Sequence, residues 1–171
     1  MEDKLIEIYD KNNNSISFGY KIFEDNKNIL INNLDDQGRY DGYLLVDKSL
    51  IEQKETSEFL NKLKIYNSYW KSINIGKSDS EVFKNDLSFL DILSYAKDNN
   101  KIVSLGEDLL YYNIIKGYVE KINNEKVYIR AIDINNGKYF DDFEMEIVNI
   151  KYLEVETIDN ILLDYAYNEI Y

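Results

Sequence analysis

The stretch 116–157 constrains the fold more than any other part of this chain, because short apolar runs alternate there with polar turns. In its middle, apolar side chains recur at every second position, which is typical of a half-buried strand. Asn123-Asn124 and Asn136-Gly137 mark turns, and Asn-Gly supplies the positive-φ positions that a tight hairpin needs. The stretch therefore predicts a meander of short strands.

The stretch 18–56 repeats the same order of glycine, strand, turn and strand. The matches are Gly19-Tyr20 with Gly117-Tyr118, Ile29 with Val127, Ile31 with Ile129, Leu34-Asp35 with Ile132-Asp133, Gly38-Arg39-Tyr40 with Gly137-Lys138-Tyr139, and Glu55-Thr56 with Glu156-Thr157. A repeated order over such a length indicates an internal duplication.

Each repeat is predicted to begin with one further strand, which makes five, and to end in a short helix. The first two strands are expected at 4–10 and 15–23 in the first unit and at 101–105 and 114–119 in the second. A glycine inside the second strand of each unit indicates a sharp bend or a bulge.

Three helices are predicted. The first runs from Glu58 to about residue 66, with Ser57 as its cap and an apolar stripe of Phe59, Leu60 and Leu63. The longest is expected at 82–98, after a capping-box sequence at 78–81. The last is expected at 160–167, capped by Thr157 or Asp159, with Ile161, Leu162 and Tyr165 facing inward.

The sequence thus predicts a mainly β protein with short helices, in the α+β class. We expect two tandem five-stranded small barrels: residues 1–66, and residues 67–171 with the linker helix. Trp70 is expected to begin the second half. Since a repeated unit often keeps the interface of its ancestor, a pseudo-dimer within the chain or a homo-oligomer is the expected assembly.

A helix and five short strands, with a glycine bending the second strand, form the order of the Sm-like fold, which residues 80–157 resemble. Gly117, the turn at Asn123-Asn124 and the strand 127–133 are similar to the first Sm signature, and Asp35 and Asp133 fall near its polar positions. The whole pattern also resembles tandem Sm-like (SH3-like) small-barrel proteins of bacteria, some of which are encoded near toxin genes.

The second Sm signature, an apolar residue followed by Arg or Lys and then Gly, has no match here. The corresponding strand carries the acidic run Phe143-Glu144-Met145-Glu146 instead. The RNA-reading role that the resemblance implies therefore lacks its residues in this chain, and a fold alone does not supply a function.

The net charge of −12 over 171 residues favours a partner with a basic surface. It disfavours nucleic acid, because phosphate binding depends on clustered Lys and Arg. The alternative is that the charge only keeps the protein soluble. No apolar run approaches the ~20 residues of a membrane span, and the acidic N-terminus does not resemble a signal peptide. We therefore expect a cytoplasmic protein without a membrane partner.

The chain contains no cysteine and no histidine. Disulfides, Ser-His or Cys-His relays, and zinc sites built on these residues are thereby excluded. No glycine-rich phosphate loop is present either. We assign no catalytic, cofactor-binding or metal-binding residue and expect no cofactor.

Acidic turns are the remaining candidates for metal binding. They comprise Asp133, Asn135, Asp141 and Asp142 and, in the first unit, Asp35, Asp36 and Asp41. Oxygen ligands of this kind suit Ca²⁺ or Mg²⁺, but the spacing does not match an EF-hand. Hairpin turns favour Asp, Asn and Gly for backbone reasons, and we prefer that interpretation.

Two further groups of residues are candidate binding surfaces. Lys116, Lys121, Lys126, Arg130 and Lys138, interleaved with Tyr118 and Tyr128, resemble a weak nucleic-acid face. We prefer to interpret them as a mixed-charge, solvated strand face. Tyr69, Trp70, Tyr111-Tyr112 and Tyr139-Phe140 are either interface anchors or core residues.

The expected function is a non-enzymatic, acidic, protein-binding module of bacterial or phage type, such as an immunity protein or an inhibitor that covers a basic site. One alternative is an RNA-associated Sm-like protein. A second is a carboxylate- or metal-dependent hydrolase, which needs two close acids whose pKa values are pushed apart.

Overall fold

The structure is a computed structural model that describes residues 4–74, 83 and 87–170. The chain divides into two compact units, Met1–Asp86 and Leu87–Tyr171. Both consist mainly of antiparallel strands with short helices, which confirms the expected α+β class. Among the residues described, no helix combines the length and the apolar character needed to cross a membrane.

The described part of the first unit contains five strands and one α-helix. These are β1 Leu5–Asp10, β2 Ser15–Glu24, β3 Asn28–Leu34, β4 Tyr40–Asp47, β5 Ile51–Lys54 and α1 Glu58–Ser72. The strands pair in the order β5-β1-β2-β3-β4. In β1, Ile6 and Ile8 are fully buried in the core, and Glu7 between them is buried as well.

The second unit has the same strand order, preceded by an extra helix. Its elements are α2 Phe89–Asp98, β6 Ile102–Gly106, β7 Ile115–Ile122, β8 Lys126–Ile132, β9 Tyr139–Glu146, β10 Tyr152–Val155 and α3 Ile158–Ile170. The strands pair in the order β10-β6-β7-β8-β9. In both units the described ladder is open. The small-barrel form and the duplication therefore stay predictions.

A glycine occupies the same place in β2 and in β7. A Cβ atom on Gly19 would lie 2.2 Å from the carbonyl oxygen of Asn32, and one on Gly117 would lie 2.2 Å from that of Arg130. A register shift follows two residues later in each strand. The backbones thus approach too closely for a side chain, and the expected bulge lies beside each glycine.

Helix α1 is longer than predicted and belongs entirely to the first unit. Ser57 caps it as expected, by accepting a hydrogen bond from the Leu60 N–H at 3.0 Å. It continues to Ser72 because Asn67 Nδ2 donates to the Gly38 carbonyl and Trp70 Nε1 donates to the Gln37 carbonyl. The expected boundary between residues 66 and 67 lies within this helix, and Trp70 does not begin the second unit.

Helix α2 is shorter than the predicted helix 82–98 and begins at Phe89. Ser88, in extended conformation, forms the capping box with Asp91 that starts it. The capping box expected at 78–81 lies outside the described residues.

Helix α3 buries a different face from the one predicted. Ile161, Leu162 and Tyr165, which were expected to face inward, are 53, 59 and 65% exposed. Thr157 caps the helix, and Asn160 is buried instead, where it accepts from Ser104 Oγ at 2.8 Å. Leu163 is buried on the same face, against Ile102, Tyr118 and Ile132, so this face of the helix packs inward and the predicted one lies outside.

Candidate functional site

An open pocket of about 690 Å³ lies in the second unit, where β7, β8 and β9 meet the loop between β6 and β7. Its size falls in the range of small-ligand and anchor-residue pockets. The floor is apolar and consists of Ile115, Ile132, Ile134, Phe140, Phe143 and Met145. An adjoining pocket of about 510 Å³ continues past Lys116 and Ile134 to Leu162 and Ala166 of α3.

The strand β9 supplies the aromatic part of the floor. Phe143 and Met145 alternate with acidic residues, so both side chains lie on the pocket side of the strand. Phe140 stacks on Phe143 with 6.1 Å between ring centroids and remains 62% exposed. A stacked aromatic pair with one exposed ring in the lining of a pocket is typical of an anchor site for a partner.

The loop between β6 and β7 forms an acidic rim. Glu107 and Asp108 line the pocket there, and Asp108 accepts hydrogen bonds from the Leu110 N–H and from Asn113 Nδ2, each at 2.8 Å. Tyr112 stands above the rim with 80% of its surface exposed. The Asp108 bonds give the loop a defined shape, which presents Tyr112 beside the pocket.

Asp133 adds a third carboxylate to the pocket lining. Lys116 adds a cationic side chain to the same lining. The Lys116 side chain is 14% exposed, and its Nζ lies 3.8 Å from the well-exposed carboxylate of Asp159. The acidic groups therefore outnumber the cationic group around the pocket, which favours a basic ligand surface.

The carboxylates of Asp133 and Asp35 accept hydrogen bonds from residues of their own turns. The Asp133 carboxylate accepts from the Asn135 N–H at 2.8 Å and from Asn136 Nδ2 at 2.7 Å, and Gly137 has a φ of +67°. In the first unit, Asp35 accepts from the backbone and the guanidinium of Arg39 in the same manner. This is the turn arrangement that the sequence favoured.

The other candidate ligands are dispersed. Asp141 and Asp142 lie on β9 and Asp41 lies on β4, while Asp36 is exposed in its turn. Within residues 4–74, 83 and 87–170, no group of three or more acidic side chains is placed to hold a metal ion.

Four of the five basic side chains singled out from the sequence, those other than Lys138, lie next to carboxylates or rings. Lys126 pairs with Glu144, and Arg130 Nε lies 3.2 Å from Glu120 without hydrogen-bond geometry. Lys121 lies over the Tyr128 ring, and Arg130 over the Tyr118 ring. Lys138 is exposed. The arrangement is the mixed-charge strand face that the sequence favoured.

Two tyrosines of the unit have shifted pKa values. Burial, together with a hydrogen bond to the Asp164 carboxylate, raises the pKa of Tyr118. Partial desolvation and the carboxylates of Asp142 and Asp141 raise the pKa of Tyr139.

The aromatic residues singled out from the sequence separate into two groups. Tyr69, Tyr112, Tyr139 and Phe140 are exposed by 46 to 80%, whereas Trp70 is half-buried against its own unit. The side chain of Tyr111 lies outside what the structure describes. Sequence reasoning missed Phe143 and Met145 as a pocket floor, because it interpreted their alternation with acids only as a strand signal.

Comparison with known proteins found no protein family model, no curated protein and no solved structure that matches this chain.

Proposed function

We propose that this chain is a non-enzymatic, acidic, protein-binding module that uses the pocket of its second unit to cover a basic site on another protein, as an immunity protein or an inhibitor does. The observation that carries this proposal is the apolar floor with an exposed Phe140 beside the acidic groups Glu107, Asp108 and Asp133. Such a surface offers an apolar anchor site and charge complementarity together.

The surroundings of the pocket support binding more than catalysis. Asp108 and Asp133 accept hydrogen bonds from their own loops, which occupies them in shaping the backbone. The RNA-associated alternative has less support, because the basic side chains Lys126, Arg130 and Lys116 each lie beside a carboxylate. A carboxylate- or metal-dependent hydrolase is the third candidate.

We also propose that the two units arose by duplication of one Sm-like or SH3-like small barrel. Three observations support it: the shared strand order, the equal approach of Gly19 and Gly117 to the next strand, and the helix that follows the fifth strand in each unit. The mismatch in the second Sm signature, at Phe143–Glu146, coincides with the pocket floor.

The test is affinity capture from a lysate of the native organism with the full chain and two matched variants. Phe140→Ser removes the exposed aromatic ring from the pocket, while Ile65→Ser removes a 69% exposed side chain from α1. We expect one stoichiometric protein that resists nuclease, is lost with Phe140→Ser and is kept with Ile65→Ser. Loss with nuclease would favour the RNA-associated alternative, and insensitivity to Phe140→Ser would contradict the proposed surface.

A further inference from the structure

Strand β9 offers an open edge beside the pocket. It pairs with β8 and forms one end of the strand order of its unit, and no described residue of that unit pairs with its other side. The corresponding strand of the first unit differs, because Leu44, Leu45 and Val46 are at most 1% exposed. In β9 the same positions carry Phe143, Glu144 and Met145, which are half-buried or exposed.

The pairing pattern shows which main-chain groups face the open edge. The Ile147 N–H donates to the Glu125 carbonyl at 2.8 Å, and bonded and non-bonded pairs alternate along an antiparallel ladder. The main-chain groups of Asp142, Glu144 and Glu146 therefore point away from β8. The Asp142 N–H agrees with this, because it donates to the side chain of Asp141 at 2.8 Å rather than to β8.

The edge carries two different faces. The three residues whose main-chain groups point outward are all acidic, and their side chains share one face of the strand. Phe143 and Met145 lie on the other face and line the pocket. A strand laid beside β9 would therefore meet carboxylates on one face and an apolar pocket on the other.

We propose that the partner binds by adding an extended segment with alternating basic and apolar residues to the free edge of β9. This inference rests on the proposed function and specifies how the same site takes its partner. Main-chain hydrogen bonds to Asp142, Glu144 and Glu146 supply affinity, and alternate side chains supply specificity. Basic side chains lie across from the three carboxylates, while apolar ones extend the floor at Phe143 and Met145.

The probe is a fluorescent nonapeptide of alternating isoleucine and lysine, titrated into the full chain by anisotropy. Two further peptides carry N-methyl groups, one on the lysine amides and one on the isoleucine amides. Because only one edge of an added strand faces β9, exactly one of the two should bind at least tenfold more weakly. Equal binding of both, or loss of both, would overturn strand addition.

The matched protein variants are Glu144→Pro and Glu144→Ala. Both remove the carboxylate, but only proline removes the outward N–H, and an edge position tolerates it without breaking the ladder to β8. We expect Glu144→Pro to bind the parent peptide at least tenfold more weakly than Glu144→Ala. Equal affinities would contradict the inference.

Hydrogen exchange on the wild-type chain gives a readout that does not depend on the folding of a variant. Adding the peptide should slow exchange at the amides of Glu144 and Glu146, and unchanged exchange would overturn strand addition. A sedimentation shift that Glu144→Pro abolishes would show that the chain dimerises through β9. The edge would then bind a second copy of this chain, and the proposal that it binds a segment of another protein would be wrong. Failure of the peptide to bind, with a captured protein still lost on Phe140→Ser, would reject strand addition alone.

Discussion

Gly117 lies so close to Arg130 that a Cβ atom on the glycine would be 2.2 Å from the arginine's carbonyl oxygen. The contact is with backbone, so neither strand can relieve it by moving a side chain. We expect Gly117→Ala to lower the free energy of unfolding by about 3 kcal/mol or more. This is at or above the largest loss that is typical when an extra methyl group is forced into a packed core. The measurement is urea unfolding followed by circular dichroism.

Gly106→Ala is the control for this variant. The nearest atom to its Cβ would be the Asp108 carbonyl oxygen at 3.2 Å, so a small backbone shift relieves the contact. A loss for Gly117→Ala no larger than that for Gly106→Ala would mean that β7 and β8 are farther apart than the structure shows.

In each unit, the helix after the fifth strand contacts the second strand at an equivalent position: α1 contacts β2, and α3 contacts β7. The contact is aromatic in the first unit and ionic in the second. In the first unit Phe18 meets Phe59 edge to face, with 5.0 Å between centroids; in the second, Lys116 meets Asp159 at 3.8 Å. We expect Phe59→Ala to cost about 1–3 kcal/mol, because a partly buried ring contact is lost. Asp159→Ala should change the free energy of unfolding by less than about 0.5 kcal/mol, since the exposed carboxylate is screened by solvent. Equal costs would contradict this difference.

The ion pairs around Glu24 make the stability of the chain depend on pH. Hydrogen bonds from Lys21 and Lys48 lower the pKa of Glu24 from its ordinary value of 4.5 to about 2. A lowered folded-state pKa stabilises the chain fully above the unfolded-state pKa, and this stabilisation is lost as pH falls from about 5 towards 2. We expect Glu24→Gln to cost about 1–2 kcal/mol at pH 7, allowing for solvent screening, and clearly less at pH 3.

Urea unfolding at both pH values checks this prediction. Glu52→Gln, an exposed change on β5, controls for the removal of one negative charge. A cost of Glu24→Gln that does not change between pH 7 and pH 3 would show that the ion pairs do not set the pKa.

Asn67 ties the second half of α1 to the turn between β3 and β4. It is 1% exposed, donates to the Gly38 carbonyl at 2.9 Å and accepts from the Tyr20 hydroxyl at 3.1 Å. We expect Asn67→Ala to cost about 1–3 kcal/mol, because a buried carbonyl loses its donor. Asn61→Ala, on the exposed face of the same helix, should stay within about 0.5 kcal/mol. Equal unfolding midpoints in urea would place the end of α1 outside the first unit.

The five strands whose bounds were predicted lie where alternation and turn residues placed them, with ends shifted by at most three residues. The period of two is a local signal, and Gly137 confirms the turn chemistry with its φ of +67°. The matched strand residues Gly19 and Gly117 occupy equivalent register positions in the two units, whereas the match proposed at the helix cap is one residue off. Ser57, rather than Thr56, takes the place of Thr157.

The helices were predicted less well, because their ends and faces depend on contacts between distant residues. The 3.6-residue pattern in α3 placed Ile161, Leu162 and Tyr165 inward. The buried face instead holds Asn160, which bonds to Ser104, and Leu163, which packs on Ile102 and Tyr118. Likewise, α1 continues past residue 66 because Asn67 and Trp70 find acceptors in the turn between β3 and β4.

The sequence by itself determined the strands, the turns, the two glycine bends, and the absence of histidine and cysteine chemistry, since all of these follow from residue type and short-range spacing. Only the tertiary structure decided that Phe140, Phe143 and Met145 form a pocket floor, while Leu44 and Val46 on the matching strand are buried. The physical reason is that alternation fixes which side chains share a strand face, whereas the packing of other elements on that face decides whether it is covered.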